Sequence, residues 1–327
     1  MLSLTAFQNN IKLKQLSFGL KRSSPKINGL TAGLAAPLAH QDTLMLRFGS
    51  RSGFDNSGSS GEGFLSGGDD EPIYEDPLMN TGMMAYASAK FAQALPSLEA
   101  VVRQFDQKTA AQTPISEDVV DNIQDVYRSL IHIYLNERHA VGMESPDQVR
   151  KSLNRALQLL ERRFSALEKQ TDVEPGELSQ CHFQYGMAFL QQSDLGQPEA
   201  ARLNLLQRAE REFMIALKHE RTARLALEPE PTLQIDILFH LGMAQTALGY
   251  PEEAKLRVVQ AKALLEKETP HTPAQVASVN ERMEFINGSL QHIEADITAR
   301  QKAAEKKGEA FPAEDILRRI HIRSKTN

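Results

Sequence analysis

The chain has 327 residues, a length that suits one large domain or two ordinary ones with a sizeable core. Its formal net charge at pH 7 is −5, without a basic excess, which disfavours a nucleic-acid-binding protein. Cys181 is the only cysteine, so an intramolecular disulfide and a multi-cysteine metal site are excluded. No run approaches the roughly 20 apolar residues of a membrane span. We therefore expect a cytoplasmic protein with no cofactor and no bound metal.

Residues 1–80 are predicted to be disordered. Residues 1–41 contain five lysines or arginines and no acid. This composition is typical either of a disordered basic tail or of a segment that directs import into an organelle, while a secretory signal peptide is not expected. Residues 49–70 hold seven glycines and six serines, so they bury too little apolar surface to fold and are predicted to be a flexible linker.

From about Thr81 onward, apolar residues recur at the spacing of an amphipathic helix, and no alternating strand pattern competes. Ser145 followed by a proline marks the start of the clearest helix, and Pro96 is expected to end or kink an earlier one. The fold class is therefore predicted to be all-α. The predicted helices span residues 82–95, 96–107, 116–136, 145–169, 175–193, 198–226, 231–248, 251–267, 273–304 and 312–322.

A helical domain is predicted over residues 81–310, followed by a C-terminal segment over 311–327. This segment is basic and amphipathic, with Ile316, Leu317 and Ile320 on one side. We expect it to cover the end of the helical domain, and binding to a partner or to a membrane surface is the alternative.

Two of the predicted helices share the pattern Phe-x-x-Gly-Met-Ala. The copies begin at Phe183 and Phe239, 56 residues apart. A further 56 residues back lies Tyr127, in a helix that lacks the Gly-Met-Ala part. Repeated helical pairs predict a solenoid, in which each pair buries its apolar face only against its neighbours.

The second copy and the helix after it resemble the tetratricopeptide repeat in the spacing of six residues: Leu238, Leu241, Gly242, Ala254, Val258 and Ala261. The resemblance implies that Gly242 and Ala254 are small because the two helices of a pair approach each other there. It assigns residues 231–268 to one repeat, 175–229 to an elongated repeat with an insertion, and 116–170 to a third.

No catalytic constellation is recognisable in the chain. There is no Gly-x-Ser-x-Gly, no phosphate-binding glycine loop and no paired-histidine zinc helix. Cys181 and His182 are neighbours on a helix, so their side chains point about 100° apart and do not form a nucleophile–base pair. His182 is expected to be a buried, neutral core residue. The chain is therefore predicted not to be an enzyme.

Each copy of the shared pattern also carries a second apolar stripe. In tetratricopeptide proteins the corresponding stripe lines a concave groove that binds peptides. The resemblance thus implies a groove for another helix or an extended peptide, because aromatic residues and methionine are adaptable anchors. The alternative is that the stripe is core between successive repeats. The stripe residues are Phe183, Met187, Leu190, Ile235, Phe239 and Met243.

Tyr74 is a candidate phosphorylation site within an acidic segment. Residues 71–74 match the first four positions of the EPIYA-type motif, and Glu75 stands in place of its alanine. Bacterial effectors similar in this motif are phosphorylated in host cells and then bind SH2 domains. The alternative is a solvated acidic spacer without a further role.

These observations lead us to expect a non-catalytic protein–protein interaction module, a scaffold or adaptor. Its partner would be a protein or peptide, or a second copy of the same chain. The alternative is a secreted bacterial effector that combines a helical scaffold with Tyr74 as a switch.

Overall fold

The computed structural model describes residues 74–170, 173–226, 231–270 and 272–307. Over these residues the chain forms nine α-helices and no strand, so the all-α prediction is confirmed. None of these helices combines the length and apolar character that a membrane crossing needs. The predicted basic tail, the linker and the helix at 312–322 lie outside the described residues. The helices are α1 (Pro77–Ala87), α2 (Phe91–Ala110), α3 (Glu117–Asn136), α4 (Pro146–Leu167), α5 (Pro175–Ser193), α6 (Glu199–Ala226), α7 (Pro231–Leu248), α8 (Pro251–Leu265) and α9 (Pro273–Lys307).

Side chains that satisfy the first turn determine where two of the helices begin. The Asp76 carboxylate accepts two backbone N–H groups of the first turn of α1. This cap starts the helix at Pro77, earlier than the predicted onset near Thr81. Ser145 caps α4 as predicted and forms a capping box with Gln148.

The first helical hairpin turns at Ala89 and not at Pro96. Ala89 has a φ of 55°, and α2 then runs through Pro96. The Lys90 N–H donates to the Ala85 carbonyl oxygen at 2.8 Å, which closes a Schellman-type helix end. Pro96 therefore does not end a helix, and the alternative of a kink there stays a prediction. Pro96 lies just past the first turn of α2, where its missing N–H removes only one backbone hydrogen bond.

The described helices fall into two compact units, divided between Glu144 and Ser145. The first contains α1–α3 and the second contains α4–α9, so the helical domain predicted over 81–310 has an internal boundary. The third repeat predicted at 116–170 spans this boundary. That prediction is wrong, because α3 packs on α1 and α2 while α4 packs on α5.

In the second unit each helix packs mainly on its neighbours along the chain. Helix α7 is the most enclosed, since it packs on both α6 and α8 and every residue from 235 to 245 is buried. This sequential packing is the arrangement expected of a helical repeat, in which local contacts build the core.

Two glycines allow the helices of each pair to approach closely. A Cβ atom at Gly242 would lie 2.6 Å from Cγ2 of Val258 and 3.1 Å from the backbone oxygen of Ala254. A Cβ atom at Gly186 would lie 2.5 Å from the ring of Phe213. The expectation that Gly242 meets Ala254 where α7 and α8 approach is therefore confirmed.

A third glycine contact of the same kind joins α1 and α2 in the first unit. A Cβ atom at Gly82 would lie 2.6 Å from Cδ2 of Leu98. Met79 and Met83 stand at the positions that Phe239 and Met243 take relative to their glycine, and both are buried. This contact was not predicted from the sequence, although the Gly-Met dipeptide at residues 82–83 was the available signal.

Replacing Gly242 with alanine should lower the free energy of unfolding by about 2 kcal/mol, because the new methyl group overlaps Val258 and a backbone oxygen. Urea denaturation followed by circular dichroism measures this change. Gly288→Ala in α9 is the matched control, since a Cβ atom there meets nothing within 4 Å. Alanine is the better helix former, so the control should gain about 0.5–1 kcal/mol. Equal losses in the two variants would contradict the close approach.

Candidate functional site

The residues predicted to line a peptide groove lie in the interior of the second unit. All six are between 1% and 7% exposed. The ring of Phe183 packs near Phe213 of α6, and that of Phe239 packs near Phe285 of α9, with centroids 5.8 and 5.2 Å apart. The expectation of a solvent-open groove is not met, because neighbouring helices cover this stripe and make it helix–helix core. The six residues are Phe183, Met187, Leu190, Ile235, Phe239 and Met243.

His240 occupies the middle of an aromatic cluster within this core. Its Nδ1 atom donates to the Asp236 carbonyl oxygen at 2.8 Å, and within the described residues its buried Nε2 atom has no hydrogen-bond partner. Burial lowers the pKa of His240 to about 4, and the positive charge of Arg282 acts in the same direction. Three phenylalanine rings lie with centroids 5.4–6.1 Å from the His240 ring: Phe183, Phe213 and Phe239.

A buried ion pair beside this cluster joins α7 to α9. The Arg282 guanidinium donates to the Asp236 carboxylate at 2.8 Å, and a Glu268 carboxylate oxygen lies 3.7 Å from it. Arg282 and Asp236 are 5% and 8% exposed. Charges this well enclosed are held by each other, and removal of one partner leaves the other desolvated and uncompensated. We assign the pair a structural role in fixing α9 against α7.

Acid should destabilise the second unit through His240. Between pH 6.5 and about 4 the unfolded chain binds a proton at His240 that the folded chain does not. Lowering the pH over this range therefore reduces the free energy of unfolding by about 3 kcal/mol in total. His240→Phe keeps an aromatic ring and should therefore lose less stability between pH 7 and 4.5. Urea denaturation at several pH values tests this difference. An identical pH dependence in the two proteins would mean that His240 is not held neutral.

Cys181 and His182 have separate surroundings. Cys181 is buried, while Nδ1 of His182 lies 2.7 Å from Oε2 of Glu212. The His182 ring stacks on His219, with centroids 5.5 Å apart and planes 3° from parallel. The His182 side chain is 13% exposed and hydrogen-bonded, so most of it is buried as expected. Over the described ranges, no group of three or more metal-ligating side chains comes together.

Tyr74 lies half-buried where the described chain begins. Burial and the nearby carboxylates of Asp125 and Asp118 raise the pKa of Tyr74, and Arg128 has a smaller opposing effect. Asp118 also accepts the backbone N–H of Asp76 at 3.1 Å, which holds this segment to α3. A phosphate on Tyr74 would place more negative charge near two carboxylates and favour release of the segment. Phosphorylation of Tyr74 stays a prediction.

The last two described helices carry apolar side chains on their surface. Leu256 and Val259 on α8 are 38% and 44% exposed, and Val276 on α9 is 42% exposed. Leu256 and Val259 are three positions apart, so they lie on the same side of α8. The opposite side of α8 packs inward through Ala254 and Val258.

The outward side of α6 is strongly cationic. Four cations lie within an arc of about 140° around the helix axis and extend over about 20 Å along it. Two acids of this helix are buried, since Glu210 and Glu220 are each 6% exposed, while Glu199 pairs with Arg202 and Glu212 with His182. Among the described residues, no carboxylate forms an ion pair with the four cations. They are Arg208, Arg211, Lys218 and Arg221, all exposed, and we call them the basic face of α6.

No protein-family model matches the chain, and no curated protein matches it either. The chemistry of its own surfaces is therefore the basis for assigning a function.

Proposed function

We propose that this chain is a non-catalytic protein–protein interaction module, a helical scaffold or adaptor. The observation that carries the proposal is the pair of exposed apolar side chains on one side of α8, Leu256 and Val259. Apolar side chains in contact with water favour association, since their burial contributes about 25 cal/mol for each Å² covered. Clusters of such residues mark sites where proteins meet.

The packing of each helix on its neighbours in the chain supports a role in which the exposed sides of the helices bind other proteins. Each helix of the second unit is held by its neighbours in the chain, so one side of α6 and one side of α8 remain exposed to solvent. Helical repeats use such uncovered surfaces for binding, while their cores only set the geometry. A partner on the outer side of α8 requires no rearrangement, whereas a partner at the buried stripe of α5 and α7 would have to separate packed helices.

The full-length chain, immobilised and exposed to extract from its native cell, should capture a defined set of proteins. In the variant Leu256→Glu/Val259→Glu, two carboxylates replace apolar contacts, so members of this set should be lost. Quantitative mass spectrometry measures the loss. Sedimentation of the chain alone checks whether a second copy is the partner, in which case the dimer should dissociate in the variant.

Gln291→Glu/Gln301→Glu is the matched control, because it adds the same charge at exposed polar positions of α9. The control should capture the same proteins as the unmodified chain. Circular dichroism confirms that each variant remains helical. If the α8 variant and the control capture identical proteins and the chain sediments as a monomer throughout, an interaction role for α8 is ruled out.

A further inference from the structure

We propose that the basic face of α6 is the docking site for an acidic, amphipathic helix of a partner protein. This inference rests on the proposed function and specifies the chemistry of a partner. It concerns the residues Arg208, Arg211, Lys218 and Arg221, which lie on a different helix from the exposed apolar pair of α8.

The four cations repel one another when no partner is bound. Arg208 and Arg211 are three residues apart, as are Lys218 and Arg221, and like charges at this spacing on a helix repel each other. Burial lowers the pKa of Arg257 on α8 and the positive charge of Arg221 lowers it further, while Glu210 and Glu253 have smaller opposing effects. Carboxylates from a partner would relieve this repulsion without requiring any change in the fold.

Three other cations of the same unit each pair with a carboxylate three or four residues away. Lys262 pairs with Glu266 at 3.8 Å, and Arg300 pairs with Asp296 at 3.0 Å. Arg202, at the start of α6 itself, pairs with Glu199 at 2.8 Å. The basic face differs from these sites, because Glu210 and Glu220 of α6 are buried and Glu212 contacts His182 of α5. Arg208 lies over the Phe189 ring of α5, 3.9 Å from its centroid, but no described carboxylate pairs with any of the four cations, so their charge is available to another molecule.

Apolar atoms at the middle of the face favour a protein helix as the occupant. Met214 and Ile215 are half-buried and lie between Arg211 and Lys218 along the helix. Methionine adapts its shape to an incoming side chain. An acidic amphipathic helix would place leucine-like residues over these two side chains and carboxylates over the flanking cations.

The surroundings of the face disfavour a nucleic acid or an anionic membrane. The formal net charge of the chain is −5, so long-range attraction of a polyanion is weak. The Glu212 side chain, 21% exposed, borders the face, so a ligand that is anionic on every side would meet a carboxylate there. A helix that carries its carboxylates on one side can align them with four cations spread over about 20 Å.

The test uses the full-length chain and a fluorescein-labelled synthetic peptide of about 18 residues, in which leucine and glutamate recur at helical spacing. Fluorescence anisotropy measures the dissociation constant. Arg211→Glu/Lys218→Glu should weaken binding at least about tenfold, because two attractive charge contacts become repulsive. Raising the salt concentration from about 50 to about 500 mM should weaken binding to the unmodified chain, because exposed charges are screened.

Lys302→Glu/Lys306→Glu is the matched control, since it makes the same charge change at exposed positions of α9. This control should bind the peptide within about twofold of the unmodified chain, and a peptide with glutamine for glutamate should bind weakly to all three proteins. Equal weakening in the two variants, or none in either, overturns the inference. So does tighter binding of a short RNA or of anionic vesicles that depends on the same two cations.

The two proposals fail in different ways. If the basic-face variant binds the peptide normally while the α8 variant still loses captured proteins, only the inference about α6 is overturned. If captured proteins are the same for the unmodified chain and for both the α6 and α8 variants, the interaction role itself is overturned.

Discussion

Close approach of paired helices at a glycine is the constraint on which the rest of the structure depends. At Gly82, Gly186 and Gly242 an atom of the paired helix lies where a Cβ atom would be. The gain is dense packing of apolar side chains over the whole length of each pair, which is worth more than the few tenths to 1 kcal/mol that glycine costs inside a helix. Because the glycine contact fixes the two helices against each other, it also determines which side of each helix remains outside.

This geometry separates the roles of the residues. Inward side chains, including the aromatic cluster at His240 and the pair Arg282–Asp236, hold successive helices together. The exposed side chains considered on α6 and α8 are cationic on one helix and apolar on the other, and of these Arg208 also lies over the Phe189 ring of α5. The proposals for function therefore depend on these two sides, and a partner can use both without disturbing the core.

The bounds of a helix were predictable where a proline and the helical spacing of apolar residues indicate the same start, as at residues 175–193 and 231–248. The turn at Ala89 was not predictable, because an alanine holds a left-handed backbone position that usually signals glycine. The stripe of Phe183 and Phe239 was predictable as apolar, but period alone does not reveal which neighbour covers it. The basic face was not predicted because the overall composition is acidic and hides a local group of four cations. Only the fold shows that these cations are exposed while nearby acids are buried.

Hydrogen exchange of the full-length chain, measured alone and with a bound partner, tests the central claim most directly. If helices α5 and α7 are core and the partner binds outside, the amides of residues 235–245 are already slow to exchange and change little. New protection should then concentrate on α6 around Arg211 and on α8 around Leu256. Protection that appears mainly within residues 235–245, with α6 and α8 unchanged, would contradict the account, because it would mean that the partner enters the buried stripe.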